Sequence, residues 1–212
     1  NGVKFYGRRD PDEVVSYTAS VIFAAGGSLV SAFQKMQESR SCPVYEVTDF
    51  RDYGNGGGGA EGCGEAVLLG RLEFLQDMDV SIPEGTMVSQ AVYAAIDGQL
   101  CAVFAISYAK MRSASAGIIS LCGNRKLTPV ITGGDFMITA GLIRAKFGVN
   151  TRRIAIPDPQ TQMELGVQAT DPETTTLALT TPAVFCFSCP AMGAKVSGAK
   201  SFPASFSSTT WS

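Results

Sequence analysis

The 212-residue sequence contains no histidine. Histidine is the commonest general base in enzymes, the usual activator of serine and cysteine nucleophiles, and a frequent metal ligand. Its absence excludes histidine-dependent catalytic triads and histidine-ligated metal sites.

An excess of charge of one sign is also missing. Seventeen lysines and arginines face nineteen aspartates and glutamates, which gives a formal net charge of −2. Such a chain has no basic field to follow the phosphates of nucleic acid. The small basic cluster at residues 144–153 is interpreted as a solvated helix end, and nucleic acid is not expected as a partner.

No apolar run is long enough to cross a bilayer, which requires about 20 residues. The most apolar stretch, residues 91–109, is interrupted by Asp97, Gly98 and Gln99. The beginning of the sequence shows no basic stretch followed by an apolar run, so it has no secretory signal pattern. We expect a soluble chain in a cytosolic setting.

The six cysteines show no pairing rhythm. Cys186 and Cys189 have the spacing of half a zinc site or of a redox pair. No second pair at matching spacing and no histidine accompanies them. We therefore expect reduced, structural cysteines and no metal site, with the role of Cys186 and Cys189 left open.

The first half of the chain predicts helices followed by an antiparallel sheet. Asp10 and Pro11 are typical of a helix start, the apolar run ends at Gly26, and Ser28 is expected to cap a second helix. Asp97-Gly98 between two apolar runs is the strongest short hairpin signal. Further strands are predicted at 43–50 and 66–69, a short helix from residue 71, and a loop at 53–59.

The pattern changes after about residue 105. Helices and strands alternate in this part, which is typical of a parallel α/β sheet. Helices are predicted at 112–122 and 136–147, and strands at 129–132, 153–156 and within 177–187. The predicted domains are therefore an α+β lobe at 1–105, a partial α/β lobe at 106–196 and a flexible tail at 197–212.

Five glycines between residues 54 and 59 show that the backbone either turns sharply or approaches something closely. They match neither the phosphate-binding loop that ends in Gly-Lys-Ser/Thr nor a dinucleotide fingerprint. A flexible loop is the alternative interpretation.

The order of segments from residue 10 to 149 resembles the nucleotide-binding domain and adjoining haloacid-dehalogenase-like phosphorylation domain of P-type cation-transporting ATPases. Four segments carry the resemblance: the helix from Ala19-Ser20 onward, Asp49-Phe50 with Tyr53-Gly54-Asn55-Gly56, Leu68-Leu69-Gly70-Arg71, and Val92 to Gly98. The resemblance implies that Gly54 and Gly56 contact a nucleotide, with ATP as the ligand. It also places Gly26, Gly27 and Ser28 where the family carries a Ser-Glu-His-Pro motif that contacts adenine, so nucleotide binding is expected to be weak.

The phosphoryl-transfer residues of that family are not found. Thr132 and Asp135, in Thr132-Gly133-Gly134-Asp135, echo its phosphate-binding Thr-Gly-Asp with one extra glycine. The alternative is a glycine turn with Asp135 as a helix N-cap. The sequence contains no Asp-Lys-Thr-Gly-Thr, which in the family would precede residue 1, and no Gly-Asp-Gly-x-x-Asn-Asp for Mg²⁺. No catalytic residue is assigned.

Three hypotheses follow for function. The first is a cytosolic region of a P-type ATPase-related membrane protein that binds nucleotide weakly and does not transfer phosphate. The alternative is a pseudoenzyme module that binds a regulatory protein or the flanking transmembrane region. A small-molecule phosphatase is disfavoured, because Asp77-Met78-Asp79 lies at a predicted helix end and not at a strand end.

Overall fold

The computed structural model describes residues 2–53, 56–108, 112–125, 127–132, 136–157, 161 and 183–188. The chain divides into two compact units: unit 1, Asn1–Ser107 with Asp135–Met137, and unit 2, Tyr108–Gly134 with Ile138–Ser212. Across the described ranges, no helix combines the length and apolarity needed to cross a membrane.

Unit 1 is a six-stranded antiparallel sheet with three helices. The strands are β1 (Val3–Phe5), β2 (Val47–Asp52), β3 (Gly57–Gly62), β4 (Glu65–Gly70), β5 (Ala91–Ile96) and β6 (Gln99–Ala105), and the helices are α1 (Pro11–Ala25), α2 (Val30–Arg40) and α3 (Leu72–Asp77). The strand order is β1-β6-β5-β4-β3-β2. The predicted antiparallel α+β class is confirmed for this unit.

The hairpin between β5 and β6 turns at Asp97 and Gly98. Both have positive φ, 48° and 74°, as a two-residue turn of the primed type requires. Asp97 also ties the turn to β4, because its amide donates to the Ala66 carbonyl at 2.8 Å and its carboxylate accepts from the Ala66 amide at 3.0 Å. The predicted hairpin is confirmed.

Helix α1 begins and ends as its sequence predicts. The Asp10 carboxylate accepts the Asp12 amide at 2.7 Å, Pro11 is the first helical residue, and Gly26 ends the helix with φ 72°. The predicted cap of the second helix is wrong. Leu29 is the N-cap of α2, and no side-chain hydrogen bond caps the helix. The Ser28 side chain is instead turned into the protein, and the residue is 5% exposed.

The prediction of a loop at 53–59 is also wrong for its second half, because β3 begins at Gly57. Successive residues of a strand face opposite sides of the sheet, so Gly57 and Gly59 face the same side. A Cβ at Gly57 would overlap the Phe74 ring, and one at Gly59 would lie 2.8 Å from Leu68 Cδ2. The glycines therefore let side chains pack directly on the backbone of β3.

Apolar side chains fill both faces of the sheet. On one face Phe33 of α2 meets Phe104 edge to face, with 5.1 Å between ring centroids. On the other, Phe74 of α3 and Tyr93 are fully buried. The Tyr93 hydroxyl accepts the Val88 amide and donates to the Thr86 carbonyl, both at 2.8 Å, and so fixes the segment before β5.

Unit 2 contains β7 (Leu127–Thr132) and β8 (Ala183–Ser188), which pair in parallel, together with α4 (Arg112–Gly123) and α5 (Ala140–Phe147). Helix α5 starts later than the predicted residue 136, because Thr139 is its N-cap and accepts the Leu142 amide at 3.1 Å. The haloacid-dehalogenase-like assignment and the limits 106–196 and 197–212 stay predictions.

The predicted strand at 153–156 is wrong. Thr151–Arg153 is a 3-10 helix, and Ala155 makes a single parallel bridge with Val130. The side chain of Asn150 caps this turn, accepting the Arg152 amide at 3.1 Å. Arg153 donates to the carbonyls of Cys122 and Asn124 at 2.6 and 3.0 Å, and the chain becomes extended only after this turn, at Ile154.

Candidate functional site

The glycine segment before β3 is the predicted nucleotide contact. Gly54 lies outside the described residues, whereas Gly56 has φ 100°, a conformation that side-chain-bearing residues rarely adopt. The Gly56 carbonyl accepts the Arg71 amide at 2.9 Å. A Cβ at Gly56 would overlap the Arg71 guanidinium, so this side chain lies directly against bare backbone.

Phe74 occupies the space beside the next glycine. Its ring stands where a Cβ of Gly57 or of Gly70 would project, and the Phe74 side chain is fully buried. At Gly70 a Cβ would also lie 2.9 Å from the Gly56 carbonyl oxygen. Gly57 and Gly70 are therefore glycine because α3 packs against them, and their backbone is not open to a ligand.

Tyr53 borders the same segment and is 44% exposed. Its amide donates to the Gly57 carbonyl at 3.1 Å, and its ring lies 5.6 Å from the Phe74 ring at 44°. We name the Tyr53, Gly56 and Arg71 group the glycine-edge site. It joins a half-exposed aromatic ring, buried glycine backbone and an arginine of intermediate exposure, from the segment between β2 and β3 and the residue between β4 and α3.

The turn between α1 and α2 lies where the family resemblance places the adenine-contacting motif. Gly26 and Gly27 have φ of 72° and 84° and carry no side chain that could contact a base. The Ser28 hydroxyl is buried and has no hydrogen-bond partner in the described part of the chain. The described residues of this turn therefore offer a base no side-chain contact in place of that motif.

The predicted phosphate-binding residues are Thr132 and Asp135. Thr132 is the last residue of β7, and nothing is described of its side chain. Asp135 lies outside the described residues. Its alternative role as helix N-cap is wrong, because Thr139 caps α5.

Ion pairs cluster at the opposite end of β3, around Arg9. Its guanidinium contacts Glu65 at 2.6 Å, Glu13 at 3.2 Å and Asp97 at 3.5 Å. The hydrogen bond from Arg9, and after it one from Tyr17, hold the pKa of Glu65 below its usual value. Burial, followed by the neighbouring Glu65 carboxylate, raises the pKa of Tyr17. These contacts tie the start of α1 to the sheet, which is a structural role.

The described ranges contain no group of three or more cysteine or acidic side chains arranged to hold a metal ion. Cys42, Cys63, Cys101 and Cys122 are free thiols, of which Cys63 is exposed. Burial raises the pKa of Cys42, Cys101 and Cys122, so these three are held as thiols at neutral pH. The side chains of Cys186 and Cys189 are outside the described part.

No protein-family model matches the chain, and no curated protein sequence matches it. Among solved structures it is similar to the N-domain of HMA8, a copper-transporting P-type ATPase, at 25% identity over 50% of this chain and 98% of that one, with a TM-score of 0.44. The N-domain of HMA6, also a copper-transporting P-type ATPase, gives 22% identity, 49% and 92% coverage and a TM-score of 0.40.

A longer stretch is similar to a zinc-transporting PIB-type ATPase in the E2.Pi state. The identity is 15%, with 74% of this chain and 26% of that chain covered and a TM-score of 0.37. The chain thus spans about a quarter of that transporter.

Proposed function

We propose that unit 1 is a nucleotide-binding-domain-like lobe of a P-type ATPase-related membrane protein, and that it binds nucleotide weakly without transferring phosphate. The observation that carries this proposal is the glycine-edge site. Gly56 has a φ of 100°, a conformation that favours glycine, and its buried backbone lies beneath the Arg71 guanidinium, while Tyr53 offers a half-exposed ring beside it. A purine needs such a flat, partly apolar surface to stack on.

Side chains of the lobe already cover the glycine backbone of this site, which limits its affinity for a base. The Phe74 ring already fills the space beside Gly57 and Gly70, so a base has one aromatic face and not an enclosing slot. Gly27 and Ser28 add no stacking or hydrogen-bonding group. Small ligands usually gain affinity by burying most of their surface, so the covered glycine backbone favours weak binding.

The lobe belongs to the cytosolic portion of a membrane protein whose spans lie elsewhere in the polypeptide. Phosphoryl transfer requires a nucleophile and charge compensation by metal-bound carboxylates. The present sequence supplies neither motif, so Thr132 and Asp135 act at most as phosphate contacts.

The test is an NMR titration of the full chain with ATP in the absence of Mg²⁺. We expect shift changes confined to residues 53–57 and 70–72, and a loss of affinity of about fivefold in Tyr53→Leu, which corresponds to ~1 kcal/mol of stacking. Tyr45→Leu is the matched control, because that tyrosine pairs with Tyr17 at 4.8 Å and not with Phe74. An unchanged spectrum at residues 53–72 on adding ATP would rule out nucleotide binding here.

A second candidate is a pseudoenzyme module that binds protein. It is favoured by the same Phe74 packing, since the glycines then serve the fold alone. In that case neither ATP nor adenosine perturbs the glycine-edge site, and the partner is a regulatory protein or the membrane-embedded region of the same polypeptide.

A further inference from the structure

We propose that the β1 edge of unit 1 docks an extended, acidic segment of a partner protein, which adds a strand beside β1 and places an apolar side chain in the groove next to it. Outward-pointing backbone groups of β1 and an apolar groove with a lysine beside it meet at this edge. β1 and β2 are the two outer strands of the sheet, and the inference does not depend on nucleotide binding at the glycine-edge site.

The backbone of β1 has one side turned away from the sheet. Among the described strands, β1 pairs only with β6. The Gly2 carbonyl accepts from β6 and the Tyr6 amide donates to β6, both at 2.8 Å. Bonded and non-bonded pairs alternate along an antiparallel ladder, so the amides and carbonyls of Val3 and Phe5 point away from β6. A further strand can pair with these groups.

An apolar groove of about 220 Å³ lies beside this edge. It is lined by Val103 and Ala105 of β6 and by Val88 of the segment before β5. Val88 is 41% exposed and its neighbour Met87 is 74% exposed. The hydroxyl of the buried Tyr93 accepts the Val88 amide at 2.8 Å, so this side of the groove is fixed before a partner binds. Alternate side chains of an added strand face one side of the sheet, and one of them can enter the groove.

Lys4 also lines the groove and gives it a positive charge. Its ammonium lies 5.1 Å from the centre of the Tyr6 ring, and within the described ranges it makes no ion pair. Opposite charges directly across two strands stabilise the pairing, whereas like charges destabilise it. Two copies of β1 paired about a twofold axis at Lys4 would bring two lysines together. The charge therefore favours an acidic partner segment over a second copy of the chain.

The probes are short blocked peptides, titrated into the full chain and followed by NMR. One is acetyl-Val-Thr-Glu-Thr-Val-amide, whose glutamate and valines share one face of a strand, and the other has lysine in place of glutamate. In the native chain we expect the glutamate peptide to bind about fivefold more tightly, as an exposed cross-strand charge pair allows. NOE contacts from its backbone should reach the amide protons of Val3 and Phe5. N-methylation of both threonine amides, which removes the donors that face β1, should weaken binding by about fivefold or more.

Lys4→Glu should reverse the order, so that the lysine peptide binds more tightly by about fivefold. Lys35→Glu is the matched control, because Lys35 is an exposed lysine of α2 whose substitution changes the net charge equally. It should keep the native preference. Val88→Ala should weaken both peptides by about twofold, whereas Val44→Ala, at a valine that is 53% exposed and does not line the groove, should change neither. If Lys4→Glu does not fold, the two peptides compared on the native chain still decide.

Each departure from these results counts against the inference. Equal affinity for the two peptides, or a preference that Lys4→Glu leaves unchanged, overturns the acidic partner. NOE contacts that do not include Val3 and Phe5 overturn strand addition. Absence of binding by either peptide overturns the inference as a whole. Concentration-dependent broadening of the β1 resonances without peptide also overturns it, because it assigns the edge to a second copy of the chain.

Discussion

Replacing Gly57 by alanine tests whether β3 is rich in glycine because side chains pack on its backbone. The new Cβ would overlap ring atoms of Phe74, which is fully buried and cannot move aside freely. Overpacking of this kind costs ~1–3 kcal/mol of unfolding free energy. The reduced backbone freedom of the unfolded chain returns ~0.4–1 kcal/mol, so the overlap wins and the variant is less stable.

The same substitution in a Phe74→Ala background gives the opposite expectation. Phe74→Ala alone should cost ~3–5 kcal/mol, because it leaves a cavity against Gly57 and Gly70. The alanine Cβ at position 57 then enters that cavity, and its cost should vanish. The resulting coupling free energy of ~1–3 kcal/mol is of the size found between residues in direct contact.

Native-state hydrogen exchange of the β3 and β4 amides in the full chain reports the stability of unit 1 alone. Gly62→Ala is the control within the same strand, because its Cβ would lie 3.4 Å from Tyr17 Cδ1, an ordinary contact. It should change the exchange free energy little. Additive effects of Gly57→Ala and Phe74→Ala, or equal costs for Gly57→Ala and Gly62→Ala, would refute the packing explanation.

Two further substitutions test unit 1 away from the glycine-edge site. Arg9 holds the pKa of Glu65 in the folded protein below its value in the unfolded chain. This pair therefore stabilises unit 1 at pH values above the unfolded pKa, and the stabilisation is lost as the pH falls through the folded pKa. Glu65→Gln should therefore lower stability at pH 7 and flatten acid unfolding followed by circular dichroism, whereas an unchanged acid profile would contradict the assignment. Asp10→Ala should cost ~1 kcal/mol in urea unfolding by removing the α1 cap, with Asp10→Asn near native, and equal losses in both variants would contradict capping.

The parts of unit 1 that the sequence predicts correctly depend on local chemistry. Asp97-Gly98 turns and Asp10-Pro11 begins a helix through contacts within a few residues, so their signals are readable without the fold. The α+β class follows from such signals. The parallel pairing of β7 with β8 was also consistent with the helix and strand alternation of the second half.

The errors arise where a partner distant in sequence decides. Gly57 belongs to a strand because it pairs with Gly70 of β4, and Ser28 caps nothing because its side chain is turned inward. Composition alone predicts a loop and a cap in these places. Arg71 was visible as part of a family-like segment, but its contact with Gly56 depends on β4 and α3 and has no local signal.

The pairing of β1 with β6 has a consequence for how unit 1 folds. Strands β2 to β5 each pair with the next strand along the chain, whereas Val3 pairs with Phe104 at the far end of the unit. Closing so long a loop costs more entropy than closing a hairpin, so β1 should join a sheet that already exists. The amides of the three-residue β1 should then be the last to gain protection from hydrogen exchange during refolding. They should also be the first to lose it when the sheet opens locally.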